Sequence, residues 1–173
     1  ADCHPITLAD AHGPVHFHGL PYAEPAVVRQ VLGDDQIHDH DSAMKAILNR
    51  MNANRPAGRS VLVAHAFVAG GAECESERPL SVGGAGTVSA ACLEGFSYVA
   101  LGHLHRAQRA NGDDRVRYSG SLMKYSFDEA DHEKSVTVVE LNERGEARHE
   151  LIKLSPRRDV RKVSGLMADL LKG

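Results

Sequence analysis

Apolar and polar positions alternate along Val15-His16-Phe17-His18-Gly19-Leu20, the period of a half-buried strand, and Pro21 ends the run. Pro25 suits the first turn of a short helix that Gly33 can close. A second helix follows, capped by Asp39, Asp41 or Ser42. Its apolar stripe is Met44, Ile47, Leu48 and Met51, at i, i+3, i+4, i+7 spacing, and Pro56 and Gly58 break it. Ser60-Val61-Leu62-Val63-Ala64 then reads as a strand ending in His65. Residues 69–86 are rich in glycine, serine and glutamate and predict a long loop. A short helix is expected over 88–93. The apolar run Tyr98-Val99-Ala100-Leu101 follows and leads directly into Gly102-His103-Leu104-His105. Residues 115–118 predict a strand. Residues 134–141 predict a strong one, rich in β-branched residues, which 146–154 pairs back on across a turn at 142–145. Residues 166–171 predict the start of another helix. The order is mixed α/β followed by an antiparallel hairpin, and packing sheet on sheet with helices outside buries these faces.

Composition narrows the class. The 173 residues suit one domain with a real core, and no run is long and apolar enough to predict a membrane span. A net charge of −3 argues against binding nucleic acid by bulk electrostatics alone, although bound metal would neutralise phosphate locally. Cys3, Cys74 and Cys92 form no C-x-x-C pair, so no zinc knuckle or redox motif is visible, and a reducing, cytoplasmic setting is expected. The chain opens on Ala1-Asp2-Cys3-His4 without an initiator methionine, and is expected to be a piece of a longer protein.

The chemistry lies in the histidines. In extended backbone, residues i and i+2 point the same way, and Gly102 permits a sharp turn, so His103 and His105 can face one cleft at a strand end. His65, at the end of a second strand, can join them, and neutral imidazole is a ready ligand for zinc, manganese or iron. His12, His38, His40, His132 and His149 lie in polar stretches and are expected at the surface.

Ala100-Leu101-Gly102-His103-Leu104-His105-Arg106 resembles the last metal-binding motif of the calcineurin-like metallophosphoesterases. More narrowly, the chain is similar to the SbcD family, the nuclease subunits of bacterial SbcCD complexes. Gly19-Leu20-Pro21-Tyr22-Ala23-Glu24-Pro25, Ala64-His65-Ala66-Phe67-Val68 and Ser76-Glu77-Arg78-Pro79-Leu80-Ser81-Val82-Gly83 carry the likeness in family order. Arg117-Tyr118-Ser119-Gly120-Ser121, Tyr125-Ser126-Phe127, Lys134-Ser135-Val136 and Pro156-Arg157-Arg158-Asp159-Val160-Arg161 extend it. Ser97 departs from it, standing where the family often has aspartate.

The resemblance implies a four-layer α-β-β-α sandwich with two divalent metal ions, usually manganese, at the strand ends. His65 and His103 would hold one ion and His105 the other. It implies an ATP-dependent exonuclease of double-stranded DNA and endonuclease of single strands, serving repair and recombination. The implied partners are DNA, an SMC-like ATPase subunit of the SbcC type and a second copy of the chain, with no membrane. Residues 1–160 would be the later part of the nuclease domain, and 161–173 the start of a linker or capping domain. Arg106, Lys124 and Tyr118 are candidate DNA contacts. Arg106 follows His105 directly but equally reads as a solvated arginine, and Tyr118, in a strand, reads more readily as structural.

The family's earlier motifs, D-x-H, G-D and G-N-H-D or its glutamate variant, supply the bridging aspartate and the histidine that protonates the leaving group. Asp10-Ala11-His12 matches the first as a string but lies in a polar turn, and Asp2-Cys3-His4 has no strand before it. No catalytic residue is therefore assigned within the chain, which is expected to be inactive alone. Two rivals stand beside this reading: another metallophosphoesterase, acting as a phosphatase or cyclic-nucleotide phosphodiesterase, and a non-catalytic module with a three-histidine metal site.

Overall fold

The structure is a computed structural model that describes residues 4–74, 77 and 86–171. Of the Ser76 to Gly83 stretch only Glu77 lies among them, and Asp2 and Cys3 lie outside them. The chain runs β1 (Ile6–Asp10), β2 (Gly13–Leu20), α1 (Pro25–Leu32), α2 (His40–Ala53), β3 (Arg59–His65), β4 (Phe67–Val68) and β5 (Thr87–Val88). After a 3₁₀ turn at Ala90–Leu93 come β6 (Tyr98–Gly102), β7 (Gln108–Ala110) and β8 (Asp113–Tyr118). A second 3₁₀ turn, Phe127–Glu129, precedes β9 (Ser135–Leu141), β10 (Ala147–Lys153) and the short α3 (Met167–Leu170).

Six strands form one mixed sheet in the order β1-β2-β3-β6-β8-β7. Its centre, β2-β3-β6-β8, is parallel, and the antiparallel strands β1 and β7 flank it. Parallel strands buried on both faces read as continuous apolar runs, which is how β3 and β6 look in the sequence. One face carries Leu62, Ala64, Val99, Leu101, Val116 and Tyr118, and packs under α2 and the first 3₁₀ turn. The other meets the β9–β10 hairpin, where Val15, Val61 and Tyr98 pack against Val139, Leu141 and Ala147. The hairpin covers this second face only in part, leaving Ile6, Leu8 and Val63 exposed. Among the described residues no helix is long and apolar enough to cross a membrane.

Local chemistry accounts for the helix ends. Pro25 begins α1, and Gly33 closes it in the left-handed conformation at φ 64°. Asp39 caps α2 with a reciprocal box. Its carboxylate accepts from Ser42 N at 2.8 Å, while Ser42 Oγ accepts from Asp39 N at 3.1 Å. The hairpin turn is held by Asn142 Oδ1, which accepts from the backbone N–H of Arg144 and Glu146. Gly145 sits so close to Ser97 that a Cβ there would lie 2.7 Å from Ser97 Oγ, so Ser97 serves to dock the hairpin. Ser97 also locks the start of β6 to β3, its N–H donating to Ser60 O at 2.8 Å.

Two edge strands, β1 and β7, were not expected from the pattern, and 88–93 divides into the end of β5 and a 3₁₀ turn. The rejected string Asp10-Ala11-His12 is the β1–β2 turn. Asp10 there takes both guanidinium nitrogens of Arg59, at 2.5 and 2.8 Å, and Arg59 also donates to Gly13 O. This pair ties the turn to the start of β3. The Arg59 side-chain hydrogen bond, then the His12 backbone N–H, hold the Asp10 carboxyl at about 2, below its ordinary 3.8. A carboxyl with a depressed folded-state pKa stabilises the fold fully above the ordinary value, and that stabilisation is lost as pH falls through the depressed one. Arg59→Met should therefore flatten the acid limb of stability between about pH 4 and pH 2, as read by thermal melts across pH. An unchanged limb would remove this pair from the acid response.

Candidate metal centre

Parallel pairing aligns the ends of β3 and β6, with His65 opposite Gly102. The His65 ring therefore lies beside the backbone that leads into His103 and His105. Gly102 is needed for space: a Cβ there would sit 3.1 Å from His65 Nδ1. The sharp turn expected at Gly102 falls instead on His103, whose φ is 119°. A non-glycine residue in that region is strained, and such strain concentrates at functional sites.

The rings of His65 and His103 pack edge to face with centroids 5.4 Å apart, and Phe67 backs His103 at 6.0 Å. Burial first, then the neighbouring His65, lowers the His103 pKa, which favours the neutral ring that ligates metal. His65, His103, His105, Ser121 and Tyr125 line one open cavity of about 820 Å³. The structure thus brings together all three histidines singled out in the sequence.

His105 is fixed more firmly than the other two. Its Nδ1 lies 3.0 Å from Glu129 Oε1, and Glu129 Oε2 is 2.5 Å from Lys134 Nζ. A carboxylate paired with an ammonium only accepts, so Nδ1 of His105 donates to it, which leaves Nε2 as the ring atom that would ligate a metal. The backbone is held as well. His105 N–H donates to Glu77 Oε1, and His105 O accepts from Lys134 Nζ at 2.8 Å and from Ser121 N at 3.1 Å. Gly120 makes that approach possible. Its φ is +78°, and a Cβ there would lie 2.8 Å from Ala107 N and 3.0 Å from His105 O. The Tyr125 ring stacks obliquely on His105 at 5.3 Å.

No carboxylate among the described residues lines this cavity, but two lie behind His105 that the sequence did not single out. Glu77 and Glu129 both approach His105, from a glycine-rich loop and a polar stretch. Cys74, Glu77 and His105 also form a group close enough to hold a metal ion, their ligand atoms all within 4.8 Å of one another. The signals lay in view. Glu77 belongs to the Ser76 to Gly83 stretch, and Lys134 opens the strongest strand, a place where a lysine invites the question of its partner.

The candidate DNA contacts separate. Arg106 is exposed beside the cavity, with no ion pair from its side chain among the described residues. Lys124 is turned inward, donating to Ala130 O at 2.6 Å and to Asp159 at 3.1 Å. Tyr118 is fully buried: its hydroxyl accepts from Val68 N at 2.7 Å and donates to Ala66 O at 2.9 Å, so it holds the β3–β4 connection and cannot reach a ligand. His40, expected at the surface, is buried against Tyr22, whose hydroxyl lies 3.3 Å from its Nε2. His132 and His149 are half-buried, whereas His12 and His38 are exposed. No family model matches the chain.

Proposed function

We propose that this chain carries the histidine half of a two-metal phosphodiesterase centre of the calcineurin-like kind, acting on DNA as an SbcD-type nuclease subunit. The observation that carries the reading is the convergence of His65, His103 and His105 on one open cavity at the ends of two parallel strands. Sites at the carboxyl ends of strands are the general habit of α/β sheets.

The donors fit one side of such a centre. His65 and His103 would hold one ion and His105 the other, with Glu129 setting the His105 tautomer. Bound manganese would supply Lewis acidity and a water acidic enough to attack phosphorus near neutral pH. Arg106, exposed and next in the chain to His105, would contact a phosphate, and the exposed Tyr125 offers a ring on which a base would stack. Among the described residues no carboxylate lines the cavity itself. Manganese favours oxygen ligands, so full activity calls for aspartates of the D-x-H, G-D and G-N-H kind from elsewhere. The exposed Ile6, Leu8 and Val63 suit the same reading, in which further strands cover that face to complete a four-layer sandwich. Assembly with an SMC-like ATPase and a second nuclease subunit, in the cytoplasm, belongs to this proposal.

The experiment has two arms. The chain alone should take manganese(II) at the three histidines yet hydrolyse no DNA. A longer polypeptide bearing the upstream motifs should degrade linear duplex DNA with manganese and lose that activity on His103→Ala. Preference for a small phosphoester over DNA ends would favour the phosphatase reading and sink the nuclease one.

A further inference from the structure

We infer that Cys74, Glu77 and His105 form a thiolate-bearing site selective for zinc-class ions over manganese. The three residues are prearranged. Glu77 N–H donates to Cys74 O at 3.1 Å and Cys74 N–H donates to Glu77 Oε2 at 2.9 Å. The Cys74 thiol lies 3.2 Å from Glu77 Oε1, and that oxygen also accepts from the His105 backbone. Ala72, two residues before Cys74, is clipped to β7. Ala72 N–H donates to Gln108 Oε1 at 2.8 Å, and Gln108 Nε2 donates to Ala72 O at 2.9 Å. Gly71 lets the chain pass against Leu104, where a Cβ would lie 2.5 Å from Leu104 Cδ1.

The donor set chooses the metal. One sulfur, one imidazole and one carboxylate, within 4.8 Å of one another, are close enough to surround a single ion with only a small contraction, at zinc–ligand distances of about 2.0–2.3 Å. Three protein ligands leave a fourth position open for water or substrate. Thiolate and the Irving–Williams order both place zinc and cobalt above manganese. Binding converts the thiol to a thiolate: the S–M bond forms as the S–H bond breaks, and the proton passes to solvent. Cys92 makes a useful contrast. Burial, then Asp41, pushes its thiol up to about 11, which keeps it protonated. The inference deepens the proposed function, because His105 serves both, but metal capture here does not require phosphodiester hydrolysis.

The test is cobalt(II) titration of a Cys3→Ser/Cys92→Ser protein, which leaves Cys74 as its thiol. A thiolate-to-cobalt charge-transfer band with tetrahedral visible bands should rise to one equivalent, and zinc should bleach it while manganese does not. Cys74→Ser should abolish the band and weaken zinc binding roughly tenfold or more, with circular dichroism showing a retained fold. Glu77→Gln should weaken binding with the band still visible. His65→Ala should leave it intact, so failure of the three-histidine reading and failure of this one are told apart. No band at saturating cobalt, or a band that survives Cys74→Ser, overturns the site.

Discussion

Glu129→Ala should destabilise the fold by roughly 3–5 kcal/mol, because it strands a buried ammonium. Glu129 is 0 % exposed and Lys134 5 %. The Lys134 ammonium pairs with Glu129 Oε2 at 2.5 Å and also donates to His105 O and Ser121 Oγ, both at 2.8 Å. Removing the carboxylate leaves a desolvated cation and a His105 ring without its acceptor. Domains of this size carry only about 5–15 kcal/mol in total, so the loss is a large share. Urea denaturation will measure it. Adding Lys134→Met should recover most of the stability, since replacing both charges removes the desolvation cost. It should not restore the orientation of His105, which the His105 ring Nδ1–H signal will report. A cost below about 1 kcal/mol for Glu129→Ala would mean that water reaches the pair, and the argument for a fixed tautomer would go with it.

Leu104→Ala should cost roughly 2–5 kcal/mol and loosen the metal centre as well. Leu104 stands between His103 and His105, is 2 % exposed, and belongs to the main core with Leu62, Val68 and Leu101. It therefore works as an anchor: the two flanking histidines can turn outward because the leucine between them is buried. Truncation leaves a cavity under a segment already strained at His103. Denaturation midpoints will give the cost, with Val63→Ala as the contrast. Val63 is 50 % exposed, and its truncation should stay within about 0.5 kcal/mol. Equal costs at the two positions would contradict the anchoring role.

The same two residues show what a sequence reveals and what it hides. Leu104 is legible, as an apolar residue inside a polar motif directly after a buried strand. So are α1, α2, β3, β6 and the β9–β10 hairpin, because each rests on local periodicity and local end signals, although the α2 cap stays open among Asp39, Asp41 and Ser42 until the structure selects Asp39. Glu129 is not legible. It sits in Asp128-Glu129-Ala130-Asp131, which reads as a solvated turn, and only its long-range partners explain its burial. The edge strand β1 escaped for a related reason: its Ile6 and Leu8 are exposed, so no buried face imposes a readable pattern, and its pairing with Arg59 spans 49 residues. His40 likewise lies among polar residues and is buried by Tyr22, which no window around it contains. At the site, the sequence placed the three imidazoles but not Cys74, Glu77 and Glu129, whose approach to His105 is made by tertiary contacts.

Manganese(II) titration followed by imidazole nuclear magnetic resonance will show directly whether the three histidines share a metal. Paramagnetic broadening reads proximity to the ion residue by residue, even when binding is weak. The ring signals of His65, His103 and His105 should vanish at substoichiometric manganese, while those of the exposed His12 and His38 stay sharp. Uniform broadening of all the histidines, or loss of His12 and His38 first, would contradict a shared metal centre at the ends of β3 and β6.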